Sequence, residues 1–180
     1  MSLTISESTG NISPEALYGL LSKKGLLPDM LKDPFALGHV ASGMKFFVVH
    51  DGEDVFGVGL EFMMEPGVLG LIWTKERGRY DRRVDDLQEL APKIHDRWFR
   101  DPSIRRVDCR HPVSHVQTGR MLRALGFVRE TNSCGLRDAM VIRGFPVPIH
   151  VWGLLRTDVA PDKVETHNDK MSQEVANAVE

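Results

Sequence analysis

The segment from Met121 to Glu130 constrains the fold more than any other part of the sequence. Apolar residues at helical spacing run up to Gly126, and an apolar run typical of a strand begins at Phe127. Glycine tolerates the left-handed conformation that follows many helix C-termini. The segment therefore predicts a helix that ends at Gly126 and a chain that then re-enters a sheet.

Three apolar runs in the first half of the chain predict an antiparallel meander. The first covers residues 45–50, and Asp51-Gly52 is a hairpin signal that leads into the second run, at residues 55–63. Another turn leads into the third run, at residues 68–73. We expect these strands to lie side by side, after a helix over residues 14–25.

Residues 82–98 have apolar positions at helical spacing, which predicts a long helix. Pro92 should kink it, because proline removes a backbone donor and crowds the preceding turn. We expect Leu87, Ile94 and Leu125 to be buried where helices pack on the sheet. The remaining predicted elements are a strand at 104–109, a helix at 115–125, and strands at 127–131 and 139–143.

Residues 145–180 are predicted to be an extension outside a domain of residues 1–144. Prolines restrict the apolar segment that opens this extension, so we expect it to run extended over the domain without pairing centrally. Packing of the segment on its own sheet is the alternative. The polar residues 157–180 should be disordered unless a partner orders them. The candidate partner contacts are the apolar side chains of Phe145, Ile149, Val151, Trp152, Leu154 and Leu155.

Composition excludes several classes of protein. A chain of 180 residues, 42% hydrophobic and 27% charged, fits one domain with extensions. Its net charge of -2 creates no overall attraction to nucleic acid or to an anionic membrane. The N-terminus has no basic and apolar leader, and no apolar run reaches the length of a membrane span. We expect a soluble protein without signal peptide, disulfide framework, nucleic-acid partner or membrane partner.

Cys109, His111 and His115 form a compact group of residue types that bind metals. No carboxylate or second cysteine stands at a motif spacing, and Cys109 is expected to face the core. We therefore predict no metal site.

Residues 12–144 resemble the GNAT acyltransferases, most specifically over residues 115–130. The order of helix, three-strand meander, long helix, strand, helix and two strands is similar to that fold, in which a helix closes on Leu-Gly-Phe as at residues 125–127. The resemblance implies an α/β fold, α+β in some schemes, with a mixed and mainly antiparallel sheet flanked by helices.

In active members of this family, a turn of pattern Gln/Arg-x-x-Gly-x-Gly/Ala cradles the acetyl-CoA pyrophosphate with backbone N–H groups. Aligning Arg77 with the first position puts Tyr80 and Arg82 where small residues belong. Bulky side chains there should block the cofactor, so we expect none; acetyl-CoA bound by an unusual turn is the alternative. The candidate cofactor contacts are then Trp73, Arg77, Gly78, Arg79 and Arg82.

The catalytic positions implied by the resemblance are also altered. The asparagine and the thiolate-protonating tyrosine of typical members fall on His115 and Leu122, and leucine cannot donate a proton. We therefore expect no catalytic residue. If the protein is an enzyme, it is an N-acetyltransferase whose candidate acid and base are Tyr80, Glu61 and His115.

A narrower likeness is to the GNAT-like proteins of short-tailed bacteriophages. It rests on Arg97-Trp98-Phe99 at the end of the long helix, on Leu122, and on the missing glycine-rich turn. It implies a catalytically degenerate virion or assembly protein that binds other phage structural proteins in an oligomeric assembly, in the virion or the host cytoplasm. The alternatives are an acetyl-CoA-dependent N-acetyltransferase with an atypical cofactor turn, and a small phage effector that binds a bacterial protein.

Overall fold

The computed structural model describes residues 3–7, 18, 19, 22, 45–74, 86–142 and 144–159. Most of the helix predicted over residues 14–25 lies outside these ranges, as do residues 75–85 and the tail from residue 160 onward. The elements in the described part are β1 (Thr4–Glu7), β2 (Lys45–Asp51), β3 (Asp54–Glu65), β4 (Val68–Thr74), α1 (Asp86–Trp98), β5 (Arg106–Pro112), α2 (Val116–Ala124), β6 (Val128–Arg129), β7 (Leu136–Ile142), β8 (Phe145–Leu155) and α3 (Arg156–Val159).

The strands form one mixed sheet in the order β1-β2-β3-β4-β5-β8-β6, and β7 pairs with β8 beside this path. β4 and β5 run parallel, and the other described pairs are antiparallel. The predicted meander is β2, β3 and β4. The mixed, mainly antiparallel α/β architecture predicted from the sequence is confirmed.

The helices α1 and α2 pack on the same face of the sheet. Leu87 and Ile94 on α1 and Leu125 after α2 are 0% exposed, which confirms the predicted core positions. His95 Nε2 donates to the carbonyl oxygen of Leu125 at 2.8 Å and so joins the end of α2 to α1. The helix α1 continues through Pro92. In the described part of the chain, no helix has both the length and the apolar character needed to cross a membrane.

The predicted helix stop at Gly126 is confirmed. Gly126 has a φ of +86°, a left-handed conformation that glycine adopts without the steric cost of a Cβ atom. The next N–H, of Phe127, donates to the carbonyl oxygen of Leu122 at 2.9 Å. The turn directs the chain into β6, which has only two residues and is shorter than predicted.

Residues 145–155 form β8, which contradicts the prediction that this segment lies outside the sheet. β8 pairs with the whole of β5, from Leu155↔Arg106 to Ile149↔Pro112. The domain predicted to end at residue 144 therefore includes β8. Pro146 and Pro148 did not prevent this pairing, because both precede the stretch of β8 that pairs with β5, and the Pro148 carbonyl oxygen still accepts from the N–H of Val113 at 3.0 Å.

Three of the predicted partner contacts belong to the protein's own core instead. Ile149 and Trp152 are each 3% exposed and Leu154 is 0% exposed, so these side chains cannot also form a contact surface. Val151 is half-buried. Phe145 and Leu155 remain exposed, and their contact with a partner stays a prediction.

Candidate functional site

The two parallel strands of the sheet separate before they end. Their pairing stops at Leu71↔Cys109. Beyond that pair, β4 continues to pair with β3 and β5 continues to pair with β8, but within the described ranges nothing pairs β4 with β5. Residues 72–74 and 110–112 therefore border an opening at the C-terminal ends of both strands, which we call the β4–β5 gap. A bound chain with amide groups could pair with backbone groups along such an opening.

On the β4 side of the gap, the indole of Trp73 lies over β3. Two glycines make room for the aromatic rings: a Cβ atom at Gly57 would come within 2.5 Å of the Trp73 ring, and one at Gly59 within 2.3 Å of the Phe47 ring. The Trp73 and Phe47 rings lie 5.8 Å apart. The indole is thus held away from β5. Its Nε1–H is buried and has no hydrogen-bond partner among the described residues.

On the β5 side, His111 is fixed by both of its ring nitrogens. Nε2 accepts a hydrogen bond from Trp152 Nε1 at 2.9 Å, and Nδ1 donates to the Pro112 carbonyl oxygen at 2.8 Å. These bonds require a neutral ring protonated at Nδ1. Burial lowers the pKa of His111, an effect that the bond to Pro112 opposes and that nearby His150 and His115 reinforce.

A second histidine lies beside this pair. The His150 ring meets the His111 ring edge-on, with centroids 5.7 Å apart. Its Nδ1 lies 3.1 Å from the hydroxyl of Thr131, which also accepts a bond from the N–H of Val151 at 3.3 Å. Burial, and then the charge of Arg129, lower the pKa of His150. The two imidazoles are therefore uncharged at neutral pH.

The first turns of α2 cover His111 and Trp152. A Cβ atom at Gly119 would lie 3.1 Å from the Trp152 ring and 3.6 Å from His111 Nε2, so only a small residue lets the helix come this close. The side-chain oxygen of Gln117 is buried without a hydrogen-bond partner in the described part of the chain. His115 is exposed at the N-cap position of α2, where its side chain makes no capping bond.

Glu61, predicted as a fallback acid or base, has a structural role instead. It is 4% exposed beneath α1. One carboxylate oxygen accepts bonds from Arg97 Nε and Trp98 Nε1, each at 2.9 Å, and the other accepts from Arg97 Nη2 at 2.7 Å. Both carboxylate oxygens are therefore engaged inside the core, where Glu61 on β3 binds the end of α1.

The residues considered as metal ligands are arranged unfavourably for that role. Burial raises the pKa of the Cys109 thiol to about 12, which keeps it protonated and a poor ligand. Both nitrogens of His111 are already bonded. Within the described ranges, no three potential ligand side chains come together in a way that could hold a metal ion.

The other predicted site residues either lie in the core or fall outside the described ranges. Tyr80, Arg77, Gly78, Arg79 and Arg82 lie outside the described residues. Leu122, at the position of the family's tyrosine, is 0% exposed inside the core. Its place in the sequence is therefore explained by packing.

Sequence reasoning missed the hydrogen bond between the side chains of His111 and Trp152. The alternation of apolar residues along β5 was a signal that His111 shares a face with Cys109 and so points to the core. Trp152 comes 41 positions later and was interpreted as a partner contact. Only the β5–β8 register, which no local pattern specifies, brings the two rings together.

The order of elements, the parallel β4–β5 pair within an otherwise antiparallel sheet, and the separation of these two strands together define a GNAT-like fold. No protein-family model and no curated protein matches the sequence.

Solved structures of one enzyme are similar to this chain. The spermidine N-acetyltransferase from Vibrio cholerae in complex with CoA and spermine is 12% identical, with a TM-score of 0.62 over 88% of this chain and 98% of that chain. A dodecameric structure of spermidine N-acetyltransferase from the same organism, in an intermediate state, is also 12% identical, with a TM-score of 0.60 over 88% and 96% of the two chains. At such identities the likeness establishes the fold alone.

The prediction of a bacteriophage virion or assembly protein is wrong. The structural neighbours are bacterial N-acetyltransferases, and none of the comparisons links the chain to bacteriophage proteins. The residues behind the narrower likeness have structural explanations: Arg97 and Trp98 bind Glu61 in the core, and Leu122 is buried there.

The described residues fit a CoA thioester at the β4–β5 gap. The pantetheine arm of CoA carries amide groups that need hydrogen-bond partners, and the gap is bordered by strand residues 72–74 and 110–112. One buried polar atom that lacks a partner in the described part, Gln117 Oε1, belongs to α2, the helix that follows β5. These features favour the cofactor alternative over the expectation of none.

Proposed function

We propose that this protein is an acetyl-CoA-dependent N-acetyltransferase that acts on a small amine and has an atypical cofactor turn. The observation that carries the proposal is the separation of β4 and β5 after Leu71 and Cys109, which leaves a strand-lined gap in a GNAT-like sheet. The neighbour that holds CoA and spermine has the same fold, which supports both the cofactor and the class of acceptor.

The residues assigned to the cofactor are of two kinds. Backbone groups of residues 72, 73 and 110 would hold the amides of the pantetheine arm. Arg77, Arg79 and Arg82 neutralise the phosphates by charge, since guanidinium groups bind phosphate through charge-assisted hydrogen bonds without needing bare backbone. Acetyl-CoA, when bound, would supply the acetyl group: a bond forms to the amine nitrogen, the thioester C–S bond breaks, and the proton lost by the amine leaves with CoA as its thiol.

Proton transfer is assigned to His115. The amine must lose a proton to act as a nucleophile, and a group of suitable pKa has to accept it. Glu61 and His111 are both buried, with 4% of each residue exposed. His115 is exposed at the start of α2, close enough to His111 to affect its pKa, and histidine exchanges protons near neutral pH.

The test is acetyl transfer by the purified full chain. Release of free CoA is measured with acetyl-CoA and, in turn, spermidine, spermine, a monoamine and a lysine-containing peptide. We expect saturable, amine-dependent release with at least one small amine. His115→Asn should lower kcat by on the order of 100-fold, the usual contribution of a general acid or base.

Asparagine also makes His115→Asn a discriminating variant, because typical GNAT members carry asparagine at that position. If the variant keeps full activity, His115 only forms a hydrogen bond and its proton-transfer role is wrong. If the folded wild-type chain releases no CoA with any of these amines, the proposed function itself is wrong.

A further inference from the structure

We propose that His111 is a positioning residue that sets the width of the β4–β5 gap by fastening the end of β5 to β8. The inference rests on the proposed function for its catalytic consequence, but the fastening itself concerns only the folded chain. No nitrogen of His111 is free for substrate, so the residue acts through the strand that carries it.

The end of β5 needs such a fastening because it has lost one neighbour. Before Cys109 the strand is held by β4 and β8, and after it by β8 alone. The next backbone bond, from Val113 N–H to the Pro148 carbonyl oxygen at 3.0 Å, is the last that ties this end to β8.

The side-chain bond between the two rings compensates for this loss. It runs across the strands, from Trp152 on β8 to His111 on β5, and both residues are nearly fully buried. The rings are also stacked, with centroids 6.1 Å apart and planes inclined by 25°. A buried hydrogen bond is costly to lose, since the indole N–H would be left without a partner.

The second bond of His111 makes the fastening specific for a neutral imidazole. Nδ1 donates to the carbonyl of the adjacent Pro112, which orients the ring so that Nε2 presents its lone pair to Trp152. Gly119 on α2 packs against the same two rings. The ring is thus held by β5, β8 and α2 at the point where the gap opens.

Three variants separate this role from a merely space-filling one. His111→Leu fills the buried position with an apolar side chain but removes both bonds. His111→Gln places an amide oxygen near the position of Nε2 and can still accept from Trp152. Trp152→Phe keeps a large ring but removes the donor, so it tests the same bond from the other strand if His111→Leu fails to fold.

The direct readout is backbone amide exchange in the full chain without ligand. The amide of Val113, at the gap end of β5, is compared with that of Arg156, which donates to the Arg105 carbonyl oxygen at 2.9 Å at the other end of the same strand pair. We expect His111→Leu and Trp152→Phe to speed exchange at Val113 about tenfold or more, the effect of losing a buried hydrogen bond, with little change at Arg156. His111→Gln should recover most of the protection.

The kinetic readout uses acetyl transfer. A misplaced strand edge should lower kcat/KM for acetyl-CoA by on the order of 10- to 100-fold in His111→Leu, and His111→Gln should restore most of it. Unchanged exchange at Val113 in both His111→Leu and Trp152→Phe would overturn the fastening. Faster exchange at Val113 with unchanged kcat/KM for acetyl-CoA would overturn the claim that His111 sets the width of the β4–β5 gap. Absence of acetyl transfer in the wild type contradicts the proposed function, whereas the exchange result stands on its own.

Discussion

Replacing Arg97 with methionine is expected to lower the free energy of unfolding by about 3–5 kcal/mol, the usual cost of removing one partner of a buried ion pair. Arg97 and Glu61 have side chains only 9% and 4% exposed, and they are joined by two hydrogen bonds. Without Arg97, the Glu61 carboxylate stays in the core with Trp98 Nε1 as its remaining bonded partner among those described here. Chemical denaturation of the two proteins measures the difference.

A double variant tests whether the stability lost in Arg97→Met comes from the unpaired charge of Glu61 or from lost packing of Arg97. In Arg97→Met/Glu61→Gln the charge is gone, and the amide oxygen of glutamine can still accept from Trp98. We expect this variant to recover at least half of the stability lost in Arg97→Met, because neighbouring groups in one network are not additive. If the double variant is as unstable as Arg97→Met, the loss comes from packing of the arginine stem over Phe47, which lies 5.7 Å from the guanidinium carbon.

Replacing Leu125 with alanine should cost about 2–5 kcal/mol through lost burial and the cavity left behind. Leu125 is 0% exposed in the core beneath α1. Val116→Ala is the matched control, since Val116 lies on α2 but is 65% exposed and should change stability by less than about 0.5 kcal/mol. Thermal and denaturant unfolding of both variants measure the effect. Equal losses in the two would mean that the end of α2 does not carry the core contact assigned to it.

The parts of the fold that were predicted correctly depend on local signals. The end of the helix at Gly126 is predicted from a helical pattern, a glycine and a following apolar run. The meander is predicted from the turn signals between its strands. The buried positions Leu87 and Ile94 follow from helical spacing within one element. In each case the residues that determine the structure are close together in the sequence.

The position of β8 in the sheet could not be predicted from local sequence signals. Its prolines predict an edge or a strand outside the sheet, and residues 145–148 do extend past β5. Residues 149–155 pair with β5, and Trp152 and Gly153 also pair with β6, in a stretch where Trp152 and Leu154 are buried. That choice depends on pairing between distant segments, and the same pairing brings His111 to Trp152.

The function was misjudged from the residues that deviate from the family pattern. Leu122, Tyr80 and Arg82 were interpreted as signs of lost catalysis, although Leu122 has a packing explanation in the core. The gap between β4 and β5 was invisible in the sequence, because it arises where two parallel strands stop pairing and neither strand contains a break. An opening bordered by backbone leaves little mark on the residue types that form it.

Calorimetric titration of the full chain with acetyl-CoA tests most directly whether the β4–β5 gap belongs to a working acetyltransferase. The account predicts one binding event with a dissociation constant in the micromolar range, about -8 kcal/mol at 1 μM. A dissociation constant weaker than about 1 mM for the folded protein, roughly -4 kcal/mol, would contradict it.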